Sequence, residues 1–176
     1  MKAAFLALML ASCGGGDVAT PSVYTWTVGA PDGIPSGPVI DITQGSVNYI
    51  TKATGPLTGT LSVTFNITAP LTGKGCPGPA TASLYFEATN DDWRTDGKRW
   101  WATFATVTLD HAGEYTITAP MDGPWTSVMT MTAVKDPQVF ADAKANAARV
   151  GFTLGNCTGW GHGATGPATL TIKSFT

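Results

Sequence analysis

The most informative absence in this 176-residue chain is charge. It has 10 Lys and Arg against 12 Asp and Glu, which gives a formal net charge of −2. The charged share of 12% is about half of the ~25% that is usual in globular domains. So few cations form no basic stripe, and nucleic acid is therefore not an expected partner.

Histidine and cysteine are also scarce, at two and three residues. No Ser or Cys nucleophile motif accompanies either histidine, which argues against catalysis of the triad type. The chain also lacks an apolar run of the ~20 residues that a membrane-spanning helix needs. Gly, Pro and Thr are abundant instead, and this composition favours short strands and tight turns.

The N-terminus has the features of an export signal. Lys2 supplies the positive end, and the short apolar run 3–10 has the length of a signal-peptide core, which is removed and plays no part in the fold. The sequence Leu-Ala-Ser-Cys at 10–13 resembles the lipobox of bacterial lipoproteins. The resemblance implies a signal peptide of residues 1–12, a lipid-modified Cys13 and a tether over 13–22, with outer-membrane sorting if the source is Gram-negative. The alternative is an ordinary secretory signal with a chance cysteine.

Two cysteines, Cys76 and Cys157, remain after Cys13. An exported protein meets an oxidising compartment, so we predict a disulfide between them. The alternatives are two free thiols or a metal site with both cysteines as ligands. Such a metal site would need further Cys or His ligands nearby.

Period-2 alternation predicts an all-β chain. The cleanest strand is 60–68, with Leu, Val, Phe and Ile on one face and polar residues on the other. Further strands are expected at 22–28, 82–89, 100–109, 114–119, 125–133, 149–154 and 168–175, with 100–109 and 114–119 forming a hairpin. We expect one domain, 23–176, that folds as a two-sheet antiparallel β-sandwich. Jelly-roll topology is favoured over an up-and-down arrangement because the strands vary in length and the loops are long.

One segment departs from the strand pattern. Asp136 and Pro137 form a helix start, with a capping side chain and Pro at the first helical position. The stretch up to 147 follows helical spacing, with Phe140, Ala143 and Ala147 on one face. A short helix near 137–147 is therefore expected.

The C-terminal half resembles galactose-binding-like and carbohydrate-binding-module jelly rolls. The resemblance lies in the order of a short helix (Phe140 to Ala143), a strand (Val150 to Gly155), a glycine-rich loop (Gly161 to Gly163) and a last strand (Ala168 to Ile172). The chain is similar in particular to bacterial and phage-associated lipoproteins of this size. The resemblance implies the fold, and no set of binding residues from that family maps onto this chain.

The segment 90–101 concentrates acids, cations and indoles, as sugar-binding sites often do. Indole faces stack on sugar rings while carboxylates and guanidinium groups bind hydroxyls. The candidate ligand-binding residues here are Asp91, Asp92, Trp93, Arg94, Asp96, Arg99 and Trp100. The alternative is a hydrophilic hairpin, since Asp96-Gly97 is a strong turn signal. Trp100 and Trp101 are adjacent in a strand and therefore point to opposite faces.

The same acids suggest a structural calcium ion as the one cofactor to consider, although the EF-hand pattern is not met. No other cofactor is expected.

A second candidate is the loop 156–163, where Trp160 and His162 lie among glycines. An exposed His can bind a ligand or transfer protons, but a tight structural loop explains the glycines equally well. Glu87, Asp110 and Glu114 are scattered acids, and a glycosidase would need two of them across a cleft.

The sequence therefore predicts a non-enzymatic, lipid-anchored envelope protein. It would bind the membrane through its N-terminal lipid and present a jelly-roll surface to a glycan or another envelope component. One alternative is a structural protein that contacts an envelope or phage-encoded protein. A weaker alternative is a small glycan hydrolase.

Overall fold

The computed structural model describes residues 27–28, 39–74, 77–92, 94–128, 131–155 and 162–176. Short 3₁₀ turns lie at Ile42–Gln44 and Thr103–Ala105. The strands and the helix, in chain order, are β1 (Thr27–Val28), β2 (Val39–Asp41), β3 (Tyr49–Ala53), β4 (Thr60–Ile67), β5 (Thr72–Gly73), β6 (Thr81–Ala88), β7 (Arg99–Trp101), β8 (Val107–Thr108), β9 (Gly113–Pro120), β10 (Thr126–Ser127), α1 (Pro137–Ala145), β11 (Ala147–Gly155), β12 (Ala164–Thr165) and β13 (Thr169–Phe175).

The strand order confirms an antiparallel sandwich with jelly-roll topology. The smaller sheet has the order β2-β13-β4-β9, and the larger has β1-β3-β11-β6-β7-β10, with β8 also paired to β6. Numbered among the eight principal strands β2, β3, β4, β6, β7, β9, β11 and β13, the smaller sheet reads 1-8-3-6. The centre of the larger sheet reads 2-7-4-5. This order results when a long antiparallel hairpin is folded over itself into two Greek keys. A separate two-stranded ladder joins β5 and β12.

Alternation along β4 builds the core as expected. Its apolar side chains are buried, and Phe65 stacks on Phe152 of the larger sheet at 5.0 Å between ring centroids. On the outer face, hydroxyl pairs link β4 to β9, with Ser62 Oγ and Thr118 Oγ1 3.0 Å apart. One face of the smaller sheet is therefore dry and the other is wet.

The hairpin expected from 100–109 and 114–119 is wrong. The first segment divides into β7, the 3₁₀ turn and β8, while β9 crosses to the other sheet and pairs with β4 from Thr60↔Pro120 to Ile67↔Gly113. Of the strand expected at 125–133, the described residues 125–128 and 131–133 contain β10 and no other strand. In both cases the alternation identified a face and not the partner strand.

The helix is confirmed, with Pro137 in its first turn and Phe140 and Ala143 buried. Two details were wrong. The Asp136 carboxylate does not cap the helix but accepts a hydrogen bond from Thr132 N at 3.1 Å. Ala147 is buried in β11 and not in the helix.

The helix closes one end of the sandwich, which we call the α1 end. Leu57 N donates to Lys144 O (3.0 Å) and Thr89 N to Asn146 O (2.8 Å), so the connections 54–59 and 89–98 also lie there. The opposite end, which we call the far end, holds the connections 68–71 and 109–112.

Within the described ranges, no helix has the length and apolarity to cross a membrane. The expected signal peptide 1–12 and tether 13–22 lie outside the described residues.

Candidate functional site

The turn at 89–98 connects β6 to β7 and carries most of the residues expected to bind a ligand. Asp91 of this turn forms an ion pair with Arg99, the first residue of β7, with Oδ2 3.2 Å from Nε. The two side chains are only 3% and 7% exposed. Their charges therefore hold the turn together, and the expectation that they face a ligand is wrong for the folded chain as described.

Asp92 is exposed, but its carboxylate is used by the same turn. Its Oδ1 accepts from Thr95 N (2.7 Å) and Arg94 N (2.9 Å). These hydrogen bonds, Thr95 first, lower the pKa of the Asp92 carboxyl below its ordinary value. The Arg94 side chain is exposed.

Asp96 and Gly97 form the tight turn that the sequence predicted. Gly97 has φ +76°, and Asp96 Oδ1 accepts from Gly97 N and from the Ser127 hydroxyl. A Cβ at position 97 would lie 2.6 Å from Cγ1 of Val139, so glycine also lets α1 approach the turn.

Trp100 and Trp101 do point to opposite faces, but neither can stack on a sugar. Trp100 is fully buried in the core, donates from Nε1 to Gly97 O (2.8 Å) and packs edge-on to Phe140. Trp101 is 1% exposed on the outer face of the larger sheet, 4.9 Å from the ring of Tyr85. Trp93 and Trp160, the other indoles expected at the site, lie outside the described residues.

The outer face of the larger sheet is more buried than its alternation suggested. Tyr85 is fully buried and donates to Glu87 Oε2 (2.8 Å), while Tyr49 lies 5.2 Å from its ring. Burial raises the pKa of Tyr49 to about 12 despite the opposing effect of Arg99. Burial, then the negative charge of Glu87, also raises the pKa of Tyr85.

A groove of about 380 Å³ lies between the turn and α1. Five of its side chains bear amide, carboxylate or ammonium groups, and they are Asn90, Asp96, Lys98, Asp142 and Asn146. Val139, Ala143 and Ala88 provide the apolar part of its wall. Polar residues therefore line a concave surface, which is the usual form of a small-ligand site.

Only Asp96 of these groove residues was expected from the sequence. The helix pattern does place Asp142 and Asn146 four residues apart, and therefore on one helix face. Asn90 also carried a signal, since Asn is one of the few residues that readily adopt its φ of +58°. No local pattern, however, indicated that α1 packs against the turn.

The remaining acids and histidines lie apart from this groove. Glu87 pairs with Arg149 at 3.4 Å, and Asp110 accepts from His111 Nδ1 at 2.7 Å on the exposed far end. Their hydrogen bond lowers the pKa of Asp110. Glu114 and His162 are exposed, and Cys157 and the rest of the loop before His162 lie outside the described residues.

The described part of the chain contains no group of three or more His, Cys, Asp or Glu that could hold a metal ion. Asp91, Asp92 and Asp96 thus form no such group, although all three lie in the turn where calcium was considered.

Comparisons with protein-family models, curated proteins and solved structures find no match to this chain. The fold and the groove are therefore the basis for any proposal of function.

Proposed function

We propose that this protein is a non-enzymatic, lipid-anchored envelope protein whose groove binds a hydroxyl-rich ligand, such as a glycan. The observation that carries the proposal is that five residues with polar side chains line one groove beside α1. Sugar hydroxyls both donate and accept, so they match a wall that mixes carboxylates, amides and an ammonium group.

The charges of the groove residues indicate which class of sugar the groove would bind. The groove lining includes two residues with carboxylates, Asp96 and Asp142, and one with an ammonium group, Lys98. This balance disfavours phosphate or sulfate and favours neutral or amino sugars. The described lining residues include no aromatic ring, so recognition would depend on hydrogen bonds and on the short apolar wall formed by Val139.

The anchor at Cys13 and the disulfide between Cys76 and Cys157 belong to the same proposal. All three cysteines lie outside the described residues, but the described neighbours of the last two meet at the far end. Lys74 N donates to Gly163 O at 2.8 Å, and Thr81 pairs with Gly155 in the β6–β11 ladder. The described residues that flank the two cysteines therefore lie next to each other, which supports their pairing.

Removing the groove charges should weaken glycan binding without unfolding the protein. We expect Lys98→Ala and Asp142→Ala each to weaken it by about tenfold or more, since a hydrogen bond to a charged group contributes about 1.5–3 kcal/mol. A glycan array would identify the ligand, and calorimetry would give the affinities.

The matched controls are Lys173→Ala and Glu114→Ala, which remove the same charges from exposed positions outside the groove. Equal losses in variants and controls would argue against the groove. Failure to bind any glycan, together with a stoichiometric protein partner in pull-downs from solubilised membranes, would favour the structural alternative.

Mass spectrometry of the membrane-extracted protein tests the cysteine assignments. We expect the chain to begin at an acylated Cys13 and a non-reduced digest to contain a peptide that links Cys76 to Cys157. Cys13→Ser should remain unacylated and leave the membrane fraction. Free thiols at both later cysteines, or an intact N-terminus in the wild type, would contradict the assignment concerned.

A further inference from the structure

The hydrogen bonds of β4 show which side of the neighbouring strand β9 is open. β9 is an edge strand of the smaller sheet and pairs with β4. On the other side of β4, Ser62 exchanges two backbone hydrogen bonds of 2.9 Å with Thr176. Successive residues of a strand direct their backbone groups to opposite sides, so Leu61 and Val63 direct theirs toward β9.

Three residues of β9 therefore direct their N–H and C=O groups to the open edge. Val63 lies opposite Ile117 in the register, so Ile117 directs its backbone groups toward β4. The backbone groups of Glu114, Thr116 and Thr118 point the other way. Among the residues that the structure describes, these groups have no hydrogen-bond partner. The side chains of all three residues are exposed.

β9 lacks the features that usually protect an edge strand from a further strand. It has eight residues, contains no lysine, and has no proline before its last residue, Pro120. Its register with β4 is unbroken by a bulge. By contrast, the described residues of β2, at the opposite edge of the same sheet, number three, and β10 has two. β9 is thus the long edge in the described part of the fold that can accept another strand.

The sequence of β9 is complementary to itself in one antiparallel register. With a two-fold axis at Thr116, this residue lies opposite its own copy, and Glu114 lies opposite Thr118. All three outward-facing residues then exchange backbone hydrogen bonds with the partner strand. The same register sets Tyr115 opposite Ile117, and pairs of an aromatic with a β-branched residue stabilise sheets.

Neighbouring registers are less favourable. An axis at Ile117 would set Glu114 opposite Pro120, which has no N–H to donate. An axis at Glu114 would place two carboxylates directly opposite each other, which is destabilising. The axis at Thr116 has neither defect, so the charge pattern of the strand itself selects a second copy as its partner.

We infer that β9 pairs with β9 of a second copy of this chain, so that the two smaller sheets form one continuous sheet across the dimer. The interface is one strand wide and gains little apolar area. We therefore expect a concentration-dependent equilibrium and not an obligate dimer. The inference does not depend on the proposed glycan binding, because the groove lies elsewhere, between the turn 89–98 and α1.

Engineered disulfides in the full chain test the register. Hydrogen-bonded residues of antiparallel strands have Cα atoms about 5.5 Å apart, a distance that a disulfide can span. Thr116→Cys should therefore form a covalent dimer on mild oxidation, seen on a non-reducing gel. Thr118→Cys is the matched control, because its two copies would lie about 14 Å apart. We expect several-fold more dimer from Thr116→Cys than from Thr118→Cys or from the wild type, which has the same native cysteines.

Sedimentation of the purified full chain tests the dimer without a new bond. Thr116→Lys would set two ammonium groups opposite each other at the axis and should keep the chain monomeric. Thr60→Lys, at an exposed position on the same face of β4, is its control. We expect the wild type and Thr60→Lys to form dimers as their concentration rises.

Three results would overturn the inference. The first is a wild type that stays monomeric at every soluble concentration and gives no Thr116→Cys dimer. The second is an equal yield of dimer from Thr116→Cys and Thr118→Cys, which random collision would produce. The third is a Thr116→Cys disulfide to a different protein, which would assign the edge to that partner.

Discussion

Replacing Asp91 with alanine is expected to lower the free energy of unfolding by about 3–5 kcal/mol, because it removes the carboxylate that forms an ion pair with the buried Arg99. Both side chains are almost fully buried where the turn 89–98 meets β7. Urea unfolding, followed by the fluorescence of the buried tryptophans, measures the loss. High salt should change it little, since buried charges are poorly screened.

The double replacement Asp91→Leu with Arg99→Met is the informative companion. It removes both charges while keeping side-chain volume, and it should therefore recover part of the stability lost by the single change. Glu114→Ala, at an exposed carboxylate, should change stability by less than about 0.5 kcal/mol. A loss near 1 kcal/mol or less for Asp91→Ala would show that the pair behaves as a surface ion pair.

Replacing Gly151 with alanine is expected to destabilise the larger sheet by about 3 kcal/mol, at the upper end of what overpacking usually costs. Gly151 lies in β11 between Thr51 of β3 and Tyr85 of β6. A Cβ there would overlap the carbonyl oxygen of Ile50 and approach the Cα of Thr51 to 2.8 Å. Because both are backbone atoms, no side-chain rotation can relieve the contact, and β3 would have to move away.

Gly55→Ala is the matched control, because a Cβ at Gly55 would meet nothing within 4 Å. We expect it to change stability by less than about 0.5 kcal/mol. The free energies of unfolding of the two variants, from the same urea titrations, make the comparison. Similar values would show that β3 and β11 can separate at little cost.

The sequence predicted those strands that have one buried and one wet face. β4 matches its expected range to within one residue, since it alternates between the core and water. β13 also matches to within one residue, although a register shift between Ile172 and Ser174 interrupts its alternation. It failed where partner choice mattered, as with β9, because alternation specifies which face of a strand is buried and not which strand lies beside it. β9 and β4 are about 50 residues apart in the sequence, so no local pattern predicts that they pair.

The candidate site was predicted only in part, for a related reason. The segment 90–101 was correctly expected to form an Asp-Gly turn, but composition could not show that Asp91 and Arg99 neutralise each other inside it. The sequence placed Trp101 on the opposite face of its strand from Trp100. Its burial against Tyr85 depends on tertiary packing at the outer face of the larger sheet, which the sequence pattern does not show. The polar groove needed α1 beside the turn, which only tertiary packing provides.

The position of β13 has a consequence for the order in which this protein can fold. The last strand of the chain lies inside the smaller sheet, where Leu170 pairs with both Ile40 and Ile67. A chain that emerges N-terminus first therefore cannot complete this sheet until β13 is free to pair with β2 and β4. Pairings between such distant segments also form slowly. The smaller sheet therefore closes late in folding, and in the exported protein proposed above this delay would leave the nascent chain open for passage through a translocation pore.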